Sequence, residues 1–504
     1  MIVGIDLDNT IIDYSNIFYK IGKQKKIKIK RSTSKNNLKT FIQSASKKEW
    51  TRIQGEVYGK KIMGANLFKN FTNFLKFAFE NNIQLVIISH KTKKPIIGKK
   101  NDLHKAAQNF LIKKIGKNVF KLNKNLFFEE KLEDKIKKIK EYDCDYFIDD
   151  LEKVLLDKKF PTTTEKILFN STNKNINNFN NWHKIIKFFR EQIKINSAHQ
   201  GRNNKSFKIM NNEIFVKEFN SSKKNESFSK ELKFSQFLND NKNKYTPKIL
   251  SISKRRKVIK YEYKENNNKK EHLKNIHKTI IDNFRFIKEI NNLDYKNKKF
   301  NFATGYCEKL KNYKNEIEKR IYNLKKTFFY KNNLKFRTLI KKIEYKLNLL
   351  FDINYFEKKF DLDKKSLILS PCDFHFENMI FNKKIYYIDF EYSGIDDPAK
   401  LYSIFYLQPE FNINLNIFFK TINKVLFFKR SNNAIKRNII FLMPIIYLRW
   451  SLILLNQFLS KDSKTKTASD YVKPNFKNKN TQLIKANNYL KDKNQYFKLY
   501  KKFI

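Results

Sequence analysis

The chain opens on the apolar run Ile2-Val3-Gly4-Ile5 and passes directly into Asp6-Leu7-Asp8-Asn9-Thr10. A short apolar run that ends in paired carboxylates reads as a buried strand whose far end meets a polar site. The pattern that follows supports this. Leu67 to Glu80 has helical spacing, Gln84 to Ile88 is a second strand, and Asp102 to Ile115 is helical. Asn125 to Phe128 is strand-like, Glu133 to Glu141 helical, and Tyr146 to Ile148 a further strand. Strands alternating with helices pair in parallel, carry helices on their faces, and bind ligands at their carboxyl ends. Asp6, Asp8, Ser89, Asp149 and Asp150 all fall at such ends. Residues 15–66 are expected to form a small cap or insertion. Within it Trp50 to Gly59, which holds two of the ten glycines, reads as a turn near the site. Asn170 to Asn181 reads as an Asn-rich connector, followed by a helix from Trp182 to Ile193.

From about Ser197 the pattern changes. Phe207 to Met210, Glu213 to Phe219 and Val258 to Tyr263 are expected as strands of a small antiparallel sheet, with a helix from Ser227 to Asn239 between them. Residues 270–357 read as mostly helical, 366–390 as short strands, and the remainder as helical. Asp373 and Asn378 stand five positions apart, the spacing of the protein-kinase catalytic loop, and Asp389 follows one strand later. Such a loop presents a base to an acceptor hydroxyl and an amide to Mg²⁺, while the separate strand end adds a second metal ligand. Upstream, Lys217 closes a strand and suits the α/β-phosphates, and Glu231 in the next helix can orient it. Gly201-Arg202-Asn203-Asn204 is the candidate phosphate loop, with Gly201 and Asn203 as contacts. Glu262 and Tyr263 stand where an adenine-binding hinge belongs.

Two family resemblances follow from these residues. Residues 1–170, with Asp6-x-Asp8-x-Thr10, Ser89, a later Lys and Asp149-Asp150, resemble the haloacid dehalogenase-like phosphatase superfamily. That likeness implies that Asp6 is a nucleophile forming an aspartyl phosphate, and that Asp8 is the acid and base. It implies that Asp149 or Asp150 holds Mg²⁺ with Asp6, the backbone carbonyl of Asp8 adding a ligand. Ser89 and a Lys would bind the phosphoryl oxygens. Lys135 is assigned to that role, with Lys131 as the alternative.

Residues 197–504 resemble the aminoglycoside phosphotransferase and choline kinase-like family. The likeness lies in Ser370 to Asn378, Ile388 to Tyr392 and Asp397 to Leu401. It implies a kinase-like fold, ATP, and transfer to a small-molecule hydroxyl; the pairing of the two domains would suit a sugar or polyol as that molecule. Asp373 would be the base, and Asn378 and Asp389 the Mg²⁺ ligands. Cys372 stands where that family often has Gly, and Pro371 where His is common. The expected fold class is therefore an α/β Rossmann-like parallel sheet, haloacid dehalogenase-like, followed by an α+β bilobal protein-kinase-like domain. The expected boundaries are 1–180, a linker helix at 181–196, an N-lobe at 197–264 and a helical C-lobe at 265–504.

Composition limits the alternatives. A formal charge of +57 would ordinarily point to nucleic acid or an anionic membrane. The excess is nearly all Lys, spread evenly and accompanied by abundant Asn, Ile, Phe and Tyr. That joint bias resembles an adenine- and thymine-rich coding sequence acting on tolerant surface positions. No specific nucleic-acid partner is expected, although a basic nucleic-acid-associated protein and a non-catalytic scaffold with a kinase-like fold are the competing readings. Cys144, Cys307 and Cys372 have no paired spacing, which suits a reducing cytoplasm. Ile439 to Leu459 is apolar, but Pro444, Arg449, Asn456 and Gln457 interrupt it, so a buried helix is expected rather than a membrane span. The chain lacks a basic, then apolar, signal segment at its start, and a cytoplasmic enzyme is the expectation.

Overall fold

The structure, a computed structural model, describes residues 1–26, 28, 34–116, 125–171, 173, 176–197, 204–209, 213–219, 225–351, 364–409, 414, 416, 418, 420–421, 432–459, 476–492 and 494. The chain divides into two compact units, residues 1–199 with 209–214, and residues 200–208 with 215–504.

In the first unit β1 (Ile2–Ile5) is fully buried. Just beyond it β2 (Ile12–Asp13) pairs antiparallel with β3 (Asn66–Leu67), so the intervening insertion leaves and returns at one neck. The insertion carries the helices Ser15–Gln24, Ser34–Ala45 and Lys47–Tyr58 and a short 3-10 turn at Ile62–Gly64. The turn expected at Trp50 to Gly59 is instead the body of the helix Lys47–Tyr58. The Ser46 side chain caps that helix by accepting from the Glu49 N–H, and Trp50, Ile53 and Val57 form its buried stripe. Gly55 marks a close approach, since a Cβ there would lie 2.8 Å from the Cβ of Pro95.

The strands β4 (Gln84–His90), β5 (Leu126–Glu129), β6 (Tyr146–Asp149), β7 (Glu165–Phe169) and β8 (Asn177–Phe179) complete a six-stranded sheet in the order β5-β4-β1-β6-β7-β8. Every neighbouring pair in it is parallel. The Asn-rich segment read as a connector thus contains an edge strand. β8 takes its pairing from β7 and has no fully buried side chain, so it leaves no apolar signature. The helix Trp182–Ser197, expected as a linker, is fastened to this unit. The Trp182 ring packs 4.8 Å from Phe74 and 4.9 Å from Phe71, and its indole N–H donates to the Thr10 carbonyl at 3.0 Å.

In the second unit β9 (Lys205–Ile209), β10 (Ile214–Glu218), β11 (Ile249–Ser253) and β12 (Val258–Glu262) form a sheet in the order β11-β12-β10-β9. β11 pairs antiparallel with β12 and has no counterpart among the expected strands. The helix Asn225–Asp240 lies between β10 and β11 in sequence. Farther on, β13 (Ile368–Ser370) pairs with β16 (Gly394–Asp396), and β14 (Met379–Phe381) with β15 (Ile385–Tyr387), both antiparallel. Helices such as Ile276–Asn292, Leu310–Lys325, Leu334–Phe351 and Pro398–Tyr406 build the surrounding core. The apolar stretch near Pro444 belongs to the helix Asn432–Ile453, whose Ile439, Leu442, Ile446 and Leu452 are buried in that core. No helix among the described residues is long and apolar enough to cross a membrane.

Candidate active sites

Parallel pairing sets the first site. The Asp6 N–H donates to the Ile148 carbonyl at 2.8 Å, which carries the alignment of β1 and β6 one residue past β1. Asp6, Asp149 and Asp150 therefore meet, each offering a carboxylate oxygen within 4.8 Å of the others. Lys135, on the helix Leu132–Glu141, reaches in from outside the sheet. Its Nζ donates to Asp6 Oδ1 at 2.6 Å and to Asp149 Oδ2 at 2.7 Å. The other oxygen of Asp149 accepts from the Leu151 N–H at 2.9 Å, while Asp150 Oδ1 is buried with no partner. Lys131, the alternative lysine, stands at the N-cap of the same helix, and no contact of it with Asp6 is seen.

The electrostatics follow from this crowding. Burial, set against Lys135 and reinforced by Asp149 and Asp8, pushes the Asp6 carboxyl up to about 7. Burial, then Asp6 and Asp149, drives Asp150 well above the usual carboxylate range. Burial opposes the charge on Lys135, yet Asp149 and Asp6 hold its ammonium above the ordinary lysine range. Three converging carboxylates, one with a partnerless buried oxygen, match the hard-oxygen preference of Mg²⁺. The donor set fits that ion.

Asp8 is engaged differently. Its Oδ2 lies 2.7 Å from the Lys91 ammonium, and its Oδ1 accepts from the Tyr14 hydroxyl at 2.7 Å. The Ile11 and Ile12 N–H groups both donate to the Leu7 carbonyl at 3.0 Å, and Asn9 is left-handed, so the chain turns sharply here. Ser89, near the end of β4, and Thr10 each bury a hydroxyl oxygen that has no hydrogen-bond partner. Buried hydroxyls without partners are uncommon and suit a ligand's oxygens. Lys91, Tyr14, Tyr58 and Lys35 are not among the residues that the sequence singles out. Lys91 sits 4.6 Å from the Tyr58 ring centre. Lys35 hydrogen-bonds Tyr58; burial weakens its charge, but Tyr58, Asp150 and Asp8 raise its affinity for a proton. In a chain with 106 Lys and Arg residues, nothing local marks either lysine.

The second site is organised by another buried lysine. Lys217, on β10, donates from Nζ to Glu231 Oε2 at 3.0 Å and to Asp389 Oδ1 at 2.6 Å. Glu231 is held in turn by the Tyr261 hydroxyl, which donates to its Oε1 at 2.9 Å. Burial works against the charge on Lys217, but Asp389 and Glu231 keep it above the ordinary range. Asn378 donates from Nδ2 to the Asp373 carbonyl at 2.9 Å and to its Oδ2 at 3.2 Å, and His375 Nε2 lies 3.4 Å from Asp373 Oδ1. Burial alone would raise the Asp373 carboxyl, yet His375 and Asn378 hold it below its usual value. The Ile388 N–H donates to the Asn378 carbonyl at 3.1 Å and ties the loop to the strand that delivers Asp389. The Tyr392 hydroxyl is raised by burial and then by the charges of Glu391, Asp373 and Asp389.

Cys372 has φ +67°, the left-handed region that favours glycine, which explains why Gly suits this position. Its thiol donates to the Thr304 carbonyl at 3.3 Å. Beneath it Lys400, within the Asp397 to Leu401 segment, donates to both Asp396 oxygens at 3.1 and 3.0 Å, a buried pair that supports the loop. Glu262 carries an ion pair with Lys264, and the Lys208 ammonium covers the Tyr263 ring at 4.0 Å. Gly201 and Asn203, with Arg202, lie outside the described residues; Asn204 donates to Glu391 Oε2 at 3.0 Å.

No family model matches the chain, and no curated protein does. Among solved structures it is similar to a choline kinase from Cryptosporidium parvum Iowa II, at 15% identity, 63% of this chain, 96% of that chain and a TM-score of 0.40. It is similar to an ADP-bound aminoglycoside phosphotransferase at 17% identity, covering 62% of this chain and 98% of that one, with a TM-score of 0.36. A Had-superfamily hydrolase from Ehrlichia chaffeensis aligns at 18% identity over 38% of this chain and 96% of its own, with a TM-score of 0.26. Likeness at this level does not define an activity.

Proposed function

We propose that the protein is a two-site enzyme of phosphate metabolism: an Mg²⁺-dependent phosphohydrolase in the first unit, and an ATP-dependent phosphotransferase to a small-molecule hydroxyl in the second. The observation that carries the reading is one arrangement met in both units. A buried lysine bridges carboxylates brought from distant parts of the chain, Lys135 to Asp6 and Asp149, and Lys217 to Glu231 and Asp389.

In the first unit Asp6 attacks phosphorus, and the bond from phosphorus to the leaving oxygen breaks. Asp8 gives that oxygen its proton, then takes one from the water that hydrolyses the aspartyl phosphate. Lys91 and Tyr14 keep Asp8 in place on both oxygens. Lys135 keeps Asp6 aimed and favours its charged form, while Ser89 donates its free hydroxyl to a phosphoryl oxygen. Asp6, Asp149 and Asp150 are the residues that would hold Mg²⁺, which would supply the positive charge that an anionic phosphate needs to approach an anionic nucleophile.

In the second unit Asp373 takes the proton of the acceptor hydroxyl, held in position by Asn378 and His375. Glu231 and Tyr261 position Lys217 for the nucleotide phosphates. ATP with Mg²⁺ supplies the phosphoryl group, and Asn378 and Asp389 are the residues that would hold the metal. A scaffold lacking catalysis would have no use for Asp373, Asn378 and Asp389 together. Calorimetry with ATP and Mg²⁺ tests this half: binding that vanishes in Asp389→Ala supports it, and absence of binding to the unaltered protein refutes it.

A further inference from the structure

The helix end at Asn239, the loop leading to β11, the end of β12 and the β14–β15 hairpin line an open cavity of about 350 Å³. Its volume is at the small end of the range for ligand sites. It shares no lining residue with the cluster of Lys217, Asp373, Asn378 and Asp389, and meets the expected adenine hinge only at Glu262. We propose that this cavity is a second anion site of the unit, which takes a compact phosphate ester or diphosphate on Lys244, Lys264 and Lys384.

Lys242, Lys244, Lys248, Lys264 and Lys384 are five of its ten lining residues. Lys and Arg together make up 106 of the 504 residues, about one in five, so lysine is concentrated here well beyond the chain's average. Its other lining residues are Asn239, Asn243, Thr246, Glu262 and Tyr386, of which only Tyr386 carries a large apolar group. Negative charge within it is sparse. Glu262 is its one acidic lining residue and is paired with Lys264, while Lys244 has Glu289 only at 4.0 Å. Lys384 has no ion pair among the described residues. Instead the Lys384 and Lys264 ammonium groups stand 5.0 and 5.2 Å from the centre of the same Tyr386 ring. Burial, then Lys244 and Lys264, lowers the affinity of Lys384 for its proton and outweighs the opposing pull of Glu262, the response expected where cations outnumber their counter-ions. A multiply charged anion relieves that repulsion and satisfies the ammonium donors.

Inorganic pyrophosphate titrated into the full-length protein by calorimetry, in EDTA and at physiological salt, tests the proposal. Chelation keeps the carboxylate-lined sites free of metal. Saturable binding is expected, weakened about tenfold or more in the Lys244→Gln/Lys384→Gln double variant, because two charge-assisted contacts are lost. Lys217→Met, which keeps the side-chain volume, should bind pyrophosphate as the unaltered protein does. Failure to saturate overturns the proposal. So does equal affinity in the double variant, or loss of binding in Lys217→Met with the double variant unaffected. Because the probe is read without metal or turnover, a failure here leaves the reading of the catalytic site separately testable.

Discussion

Lys217 and Asp389 are 172 positions apart in the chain and 2.6 Å apart in space. With Glu231 on the same ammonium, two carboxylates converge on one cation that is nearly excluded from water. The strand-borne lysine and the aspartate that follows β15 are thus in direct contact, joined as one ion pair.

Replacing Lys217 with alanine leaves Glu231 and Asp389 facing each other without a counter-charge. Removing one member of a buried pair commonly costs about 3–5 kcal/mol, because the remaining charge stays unmatched. Lys217→Met, which preserves volume, should weaken ATP·Mg²⁺ binding roughly tenfold or more by calorimetry, while the Glu231→Gln variant is affected less. Undiminished affinity in Lys217→Met would contradict the assignment.

Lys135→Met should reduce phosphate-ester hydrolysis about 100- to 1,000-fold, the range for removing one preorganised donor to a developing charge. The same change deprives Asp6 of the neighbour that counters burial. The pH for half-maximal activity should therefore move upward in whatever activity remains. A Lys135→Met variant with an unchanged rate and pH profile would contradict the role of Lys135 in holding and charging Asp6.

Trp182 fills the first unit between Phe71, Phe74 and Phe169. Trp182→Ala should cost about 3–5 kcal/mol of that unit's stability, from lost packing and the cavity left behind. The Thr10 carbonyl also loses its donor. Urea unfolding followed by circular dichroism measures the change, and a cost below about 1 kcal/mol would mean that the helix Trp182–Ser197 is a detachable linker.

Asp397 caps the helix Pro398–Tyr406 by accepting from the Ala399 N–H, yet its other oxygen is buried without a partner. Burial, with Asp396 adding to it, pushes its carboxyl up to about 7 from 3.8. A group with a raised folded-state pKa stabilises fully below the unfolded value and loses that contribution as pH rises through the folded one. Stability from this site should therefore fall between about pH 4 and pH 7. Asp397→Asn keeps a capping oxygen and removes the ionisation, so its melting temperature relative to the parent should rise by several degrees from pH 5 to pH 8. A difference between the two proteins that does not change with pH would contradict this account.

How much the sequence reveals depends on whether function and folding leave the same mark. Asp6, Asp149, Ser89 and Lys217 stand at the ends of apolar strands, and strand periodicity alone locates those ends. Lys135 is legible through its helical setting near the strand β6. The edge strand β8 leaves no such mark because it buries no apolar face. The helix Lys47–Tyr58 reads as a turn because its two nearby glycines serve close packing against Pro95 and Leu103 rather than a change of direction. Lys35 and Lys91 are invisible for a simpler reason: a functional lysine cannot be told by type from the many that only face solvent.

The central claim is that Asp6 accepts a phosphoryl group in a metal-dependent reaction separate from the second site. The direct measurement is Mg²⁺-dependent release of inorganic phosphate from a panel of sugar, polyol and aryl phosphates by the full-length protein, its Asp6→Asn variant and its Asp389→Ala variant. Turnover that requires Mg²⁺, disappears in Asp6→Asn and persists in Asp389→Ala is the predicted result. Turnover that survives in Asp6→Asn, or a panel on which the unaltered protein releases no phosphate, would contradict it.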